Sequence, residues 1–87
     1  MSEAVKTDNH ETIRTWVEKR KGRPSRIKGA ASGGVLRIDF GEREEELEPI
    51  SWEEFFEIFD HNKLLFLHQD QTADGKISRF NKFIDRR

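Results

Sequence analysis

Seven of the nine aromatic residues of this chain fall between Ser51 and Phe83: Trp52, Phe55, Phe56, Phe59, Phe66, Phe80 and Phe83. No other feature limits the fold so strongly, because aromatic side chains bury the most area per residue and most of them lie in one stretch. Ser51-Trp-Glu-Glu54 is a capping box, in which the serine hydroxyl accepts from the amide three residues on. Trp52, Phe55, Phe56 and Phe59 then follow the helical period, leaving Glu53, Glu54 and Glu57 for water. Ile50, just before the cap, is placed to staple onto Phe55. The spacing predicts a helix closed by Asp60, His61 and Asn62. Strands are expected at Leu64–Asp70 and Ile77–Ile84, around a turn at Ala73-Asp74-Gly75. Ile77, Phe80 and Ile84 also fit one helical face. A strand is preferred over 77–84 because Asp-Gly separates two apolar runs.

Residues 1–7 are small, polar and without period, and are expected as a disordered tail before a single domain over 8–87. Asp8 and Glu11 form a second capping-box pattern. Ile13, Trp16 and Val17 share a face of the predicted helix Asn9–Lys21, and Lys19, Arg20 and Lys21 suit the negative end of its dipole. Gly22 and Pro24 stop it. Ser25–Gly29 reads as a short strand with Ile27 inward, and Gly29–Gly34 as a loop. Val35–Phe40 alternates as a half-buried strand, with Leu36, Ile38 and Phe40 inward and Arg37 and Asp39 outward. An acidic turn over Gly41–Glu46 and a brief strand at Leu47–Ile50 complete the order α-β-β-(β)-α-β-β. The expected class is α+β, an antiparallel sheet with two helices packed on one face.

Composition decides whether such a chain folds at all. Only 33% of residues are hydrophobic and 38% are charged, with a mean hydropathy of -0.88. A disordered chain has few aromatics and a large net charge, whereas this one has seven Phe, two Trp and a net charge of -1. There is no cysteine, so disulfides and thiolate metal sites are excluded and a reducing cytoplasm fits. The longest apolar run, Leu64–Leu67, is far short of a membrane span, so no membrane partner is expected. The opening residues lack the basic and apolar regions of a signal peptide. Charge lies in blocks: residues 1–34 hold eight basic and four acidic groups, 35–62 two and ten, and 63–87 six and three. Internal neutralisation is the expected use of such blocks.

Few motifs point to chemistry. Asp70 to Ile77 places Asp70, Thr72, Asp74 and Gly75 at positions one, three, five and six of a calcium loop. Position twelve is Asn81, where the ion needs a bidentate Glu; Asp and Gly are what a turn requires anyway. The basic run 19–28 offers Arg20, Lys21, Arg23, Arg26 and Lys28 to a nucleic-acid backbone or to a partner surface. No aromatic interleaves with it to stack on bases, and the pI is near 6.3. Glu42, Glu44, Glu45, Glu46 and Glu48 read as a hydrated acidic loop. His10, His61 and His68 lack metal-ligand spacing, with His61 expected to close a helix and His68 to sit beside Asp70 on a strand face. Ser32 lies in a glycine loop without the strand-to-helix turn of a nucleophile elbow. No phosphate-loop Gly-Lys-Ser/Thr is present, so neither cofactor nor metal is expected.

Ile13-Arg-Thr-Trp16, Gly22-Arg-Pro24, Leu36-Arg-Ile-Asp-Phe40, Ile50-Ser-Trp-Glu-Glu-Phe-Phe56, Leu67-His-Gln-Asp70 and Ser78-Arg-Phe-Asn-Lys-Phe83 together resemble a family of small bacterial proteins of about this length. The resemblance covers roughly residues 10–85. It implies a bacterial, free-standing single domain, and brings with it neither an established activity nor mapped site residues. Some relatives carry the label 1,4-alpha-glucan branching enzyme. Such an enzyme needs a large barrel domain with catalytic carboxylates, which 87 residues do not supply.

The expected role is therefore non-catalytic. A protein-binding or self-associating domain comes first, because short antiparallel sheets leave edges that accept strands. A nucleic-acid accessory protein using the basic run is the alternative. A small ligand-binding domain or enzyme, with a cleft beside Trp52 and His68, is the third.

Overall fold

Both helices begin where a short polar side chain takes an amide that the helix leaves unpaired. A computed structural model describes residues 3–29, 35–41 and 44–86 of the chain. In helix α2, Trp52–His61, the Ser51 hydroxyl accepts from Glu54 N at 3.0 Å, as the capping box predicts. Helix α1, His10–Lys19, is capped by Asn9, whose Oδ1 accepts from Thr12 N at 2.8 Å. The expected cap, Asp8, is displaced because Thr7 Oγ1 takes the Asn9 amide at 3.0 Å and delays the first turn by one residue. Just past the C-cap of each helix stands a lysine with left-handed backbone, Lys21 at φ 58° and Lys63 at φ 51°, which turns the chain directly into a strand.

Among the described residues six strands accompany the helices: β1 Val5–Thr7, β2 Gly22–Ile27, β3 Leu36–Phe40, β4 Leu47–Pro49, β5 Leu64–His68 and β6 Asn81–Asp85. The α+β class stands, and every pairing is antiparallel. The strands form two three-stranded sheets rather than one, ordered β1-β5-β6 and β3-β2-β4. The molecule is flat, 37 × 33 × 18 Å.

The expected tail is corrected by β1. Val5 pairs with His68 and Thr7 with Phe66. The backbone groups of Phe66 and His68 face away from β6, and the nearby segment with Val5 and Thr7 at alternate positions supplies their partners.

Strand β2 begins at Gly22, three residues earlier than expected, and carries Pro24 in a central strand, where proline normally breaks the ladder. The register explains this. Ile27 N donates to Val35 O at 2.9 Å, and Ile50 N donates to Pro24 O at 3.1 Å. Backbone groups alternate between the two sides of a strand, so Pro24 faces β4 at the point where β4 ends. The missing amide interrupts nothing there.

Leu36 and Ile38 are buried as expected, but Asp39, expected in water, is buried too. Arg23 is its cross-strand partner and sits 3.3 Å away, Nη2 to Oδ2.

The link between β5 and β6 departs furthest from expectation. The turn itself forms: Gly75 takes φ 83°, Thr72 N donates to Lys76 O at 2.7 Å, and Gly75 N donates to Thr72 O at 3.0 Å. The return strand, however, starts at Asn81 opposite His68 instead of at Ile77, which makes only an isolated bridge to Gln71. Ile77 is 68% exposed and Phe80 48% exposed, so Phe80 is not a core residue. Polar anchors set this path. The buried Ser78 hydroxyl donates to Gln69 Oε1 at 2.8 Å and accepts from Phe80 N at 3.1 Å.

The core joins both helices to both sheets: Ile13, Trp16 and Val17 from α1, Phe55 and Phe59 from α2, Leu36 and Ile38 from β3, Leu64 and Phe66 from β5. Phe83 lies 5.8 Å from Phe55 and 5.4 Å from Phe66 between ring centroids, clasping β6 to this centre. Aromatic contacts of this kind add about 0.5–1.5 kcal/mol each to the area they bury.

Candidate functional site

The basic run does not form one open surface. Arg23 and Arg26 lie at odd and even positions of β2 and so project to opposite faces. Arg23 turns to Asp39 and donates to Gly41 O at 2.8 Å. Arg26 lies 3.7 Å from both Glu48 and Glu54, so basic and acidic blocks meet within the fold. Arg20 is withdrawn altogether, its side chain 7% exposed. Lys21 and Lys28 are exposed near the two ends of β2.

Other candidates take structural places. His10 stacks on Phe56 at 4.0 Å with its Nε2 3.0 Å from Asp60, and His61 is the last residue of α2. Asp74 accepts from the Thr72 hydroxyl, and that bond holds its carboxyl below the usual range; the calcium-like segment is a self-bonded turn. Among the described residues no three His, Asp or Glu converge on a point that could hold a metal. The loop with Ser32, and Glu42 of the acidic turn, lie outside the described residues. Glu44, Glu45, Glu46 and Glu48 are exposed.

A cleft of about 810 Å³ opens between α1 and the segment that follows β5. His68 lines it, as expected, but its aromatic wall is Trp16, whereas Trp52 packs on Phe55 and Phe56 elsewhere. Three buried groups form the floor. The Trp16 indole N–H donates to Gln69 O at 3.1 Å, and the Arg20 guanidinium carbon lies 4.1 Å above the indole ring. Arg20 donates from Nε to Ser78 O at 2.6 Å, from Nη1 to Trp16 O at 3.0 Å and from Nη2 to Asp70 O at 3.0 Å. His68 lies 5.6 Å from both Trp16 and Phe66 between ring centroids, and neither of its ring nitrogens has a hydrogen-bond partner. It is buried, not paired with Asp70 at the surface as expected.

Burial pushes the His68 imidazole below its ordinary pKa; Asp70 opposes the shift and Arg20 adds to it. Burial also lowers Arg20, against the pull of Asp70. The Asp70 carboxylate, 70% exposed, stands 3.9 Å from Arg20 and 4.0 Å from His68 without bonding to either.

The second candidate surface is a sheet edge. Among the described residues four strands are edges, but they are not equivalent. β1 and β4 are three residues long, and on β3 the residues Leu36, Ile38 and Asp39 are buried. β6 is five residues long and has no buried residue. Arg86 N donates to Lys63 O at 2.9 Å, in register with the β5–β6 pairs. By alternation, the N–H and C=O of Lys82 and Ile84 face β5, while those of Asn81, Phe83 and Asp85 face outward.

Comparison of the chain with protein-family models, with curated proteins and with solved structures gives no match.

Proposed function

We propose that this domain works by binding, and that it captures an extended segment of a protein partner by adding it as a strand to β6. The observation that carries this reading is the β6 edge, five residues long with three outward-facing backbone pairs at Asn81, Phe83 and Asp85. The exposed Phe80 ring adjoins the start of the strand and offers an apolar contact to the incoming segment. Lys82 and Asp85 put charge on the edge, which discourages indiscriminate pairing and leaves a partner of matching charge favoured. A second copy of the chain is one acceptable partner, pairing antiparallel about a twofold axis. We assign the setting to a bacterial cytoplasm, which suits a cysteine-free, highly charged chain.

The test is an unbiased pulldown of the tagged chain, with nuclease treatment to separate protein from nucleic-acid capture, beside sedimentation across a concentration series. Capture or self-association that Asp85→Pro abolishes supports the reading. That substitution deletes an outward amide and leaves the β5 ladder whole. A strict monomer that captures no protein removes it, and capture lost on nuclease treatment favours the basic run instead.

A further inference from the structure

The floor of the cleft is independent of the β6 edge. Arg20 has five N–H groups, of which three are spent on carbonyl oxygens of Trp16, Ser78 and Asp70. All three acceptors are neutral, and the nearest carboxylate oxygen, Asp70 Oδ1, is 3.9 Å away. His68, with its side chain 7% exposed, has no partner on either ring nitrogen, yet one nitrogen of a neutral imidazole is a donor. Buried polar groups are nearly always satisfied. Here a buried cation and a buried imidazole share one shortfall, an acceptor, at the bottom of a cleft open to solvent.

We propose that this cleft binds a small monocarboxylate, whose carboxylate enters between Arg20 and His68 and displaces the loosely held Asp70 side chain. Planar carboxylates suit guanidinium donors. Lys19 adds positive charge at the rim, while Glu11 and Asp70, also in the lining, disfavour a ligand with two negative charges. The hydrocarbon part has an apolar wall ready: Trp16 and Ile77, an isoleucine 68% exposed in the cleft. The volume, about 810 Å³, lies in the range of small-molecule sites.

The experiment is an NMR titration of the full chain with acetate, butyrate and benzoate, with inorganic phosphate and choline as comparisons. The readouts are the Trp16 indole N–H and the His68 ring resonances, in the native chain and in Asp70→Asn. Saturable shifts with carboxylates are expected, tighter for butyrate and benzoate than for acetate, with phosphate weaker. Removing the competing Asp70 charge is expected to tighten binding about tenfold, and Ile77→Ser to weaken butyrate and benzoate but not acetate. No saturable shift in Asp70→Asn overturns the proposal. So does tighter binding of choline than of carboxylate, since that means that Asp70 holds a cation.

Discussion

Arg20 Nε donates to the Ser78 carbonyl at 2.6 Å, joining the end of α1 to a segment 58 residues further along the chain. The same guanidinium holds the Trp16 and Asp70 carbonyls, so one side chain fixes the path of the link between β5 and β6. Arg20→Met leaves three carbonyls without this donor and is expected to cost about 2–4 kcal/mol in urea denaturation. Arg20→Lys recovers little, because a single ammonium does not reproduce the fork. A loss under about 1 kcal/mol in Arg20→Met would show that the link is held by other contacts.

His68 predicts an acid-sensitive stability. Its pKa in the folded chain lies below the ordinary 6.5, chiefly through burial. As pH falls through that ordinary value the unfolded chain takes up the proton first. The stabilising contribution is therefore whole above about pH 6.5 and is lost as pH drops toward the folded-state value. The urea midpoint is expected to fall between about pH 7 and pH 5, and to fall less in His68→Phe. Phenyl fits between Trp16 and Phe66, and it removes two nitrogens that bond to nothing. Equal acid losses in both proteins would contradict the burial of an uncharged His68.

Gly22 is required for space rather than for backbone freedom. A Cβ there would stand 2.8 Å from Ile38 Cγ2 and 2.8 Å from Phe40 Cε1. Gly22→Ala is expected to destabilise by about 1–3 kcal/mol through overpacking, read from the thermal or urea midpoint. A neutral result would mean that β3 shifts freely against β2.

The caps separate two neighbours. Asn9→Ala removes the acceptor of the Thr12 amide and is expected to cost about 1 kcal/mol. Asp8→Ala removes only an exposed ion pair with Arg86 at 3.8 Å and is expected to cost less than about 0.5 kcal/mol. The reverse order, measured by denaturation of both variants, would return the cap to Asp8.

Much of the fold is legible from the chain alone, because its cues are local. Ser51 and Glu54 lie within one turn of each other, and the stripe Trp52, Phe55, Phe56, Phe59 states its period directly. Asp74-Gly75 needs no distant partner to turn. What escaped reading depends on distant partners. Val5–Thr7 is too polar and short to announce a strand and becomes one by pairing with β5. Phe80 has the composition of a core residue, but Ser78, Gln69 and Arg20 fix the chain beside it by polar bonds that no hydrophobic pattern encodes. The cleft lies in the same class. In the sequence His68 stands out as a candidate and Arg20 as part of a basic run. Only packing α1 against the end of β5 brings them to either side of Asp70 and makes Trp16, rather than Trp52, the aromatic wall.

A partner segment added to β6 would cover the outward backbone groups of Asn81, Phe83 and Asp85. Selecting extended peptides from a displayed library on the immobilised domain, then recording amide hydrogen exchange by NMR with the tightest binder, tests it most directly. The Asn81, Phe83 and Asp85 amides are expected to exchange freely in the domain alone and to become protected with peptide. Lys82 and Ile84 should be protected in both states, and Asp85→Pro should abolish binding. Failure to select any peptide, or protection gained elsewhere while the Asn81, Phe83 and Asp85 amides still exchange, would contradict it.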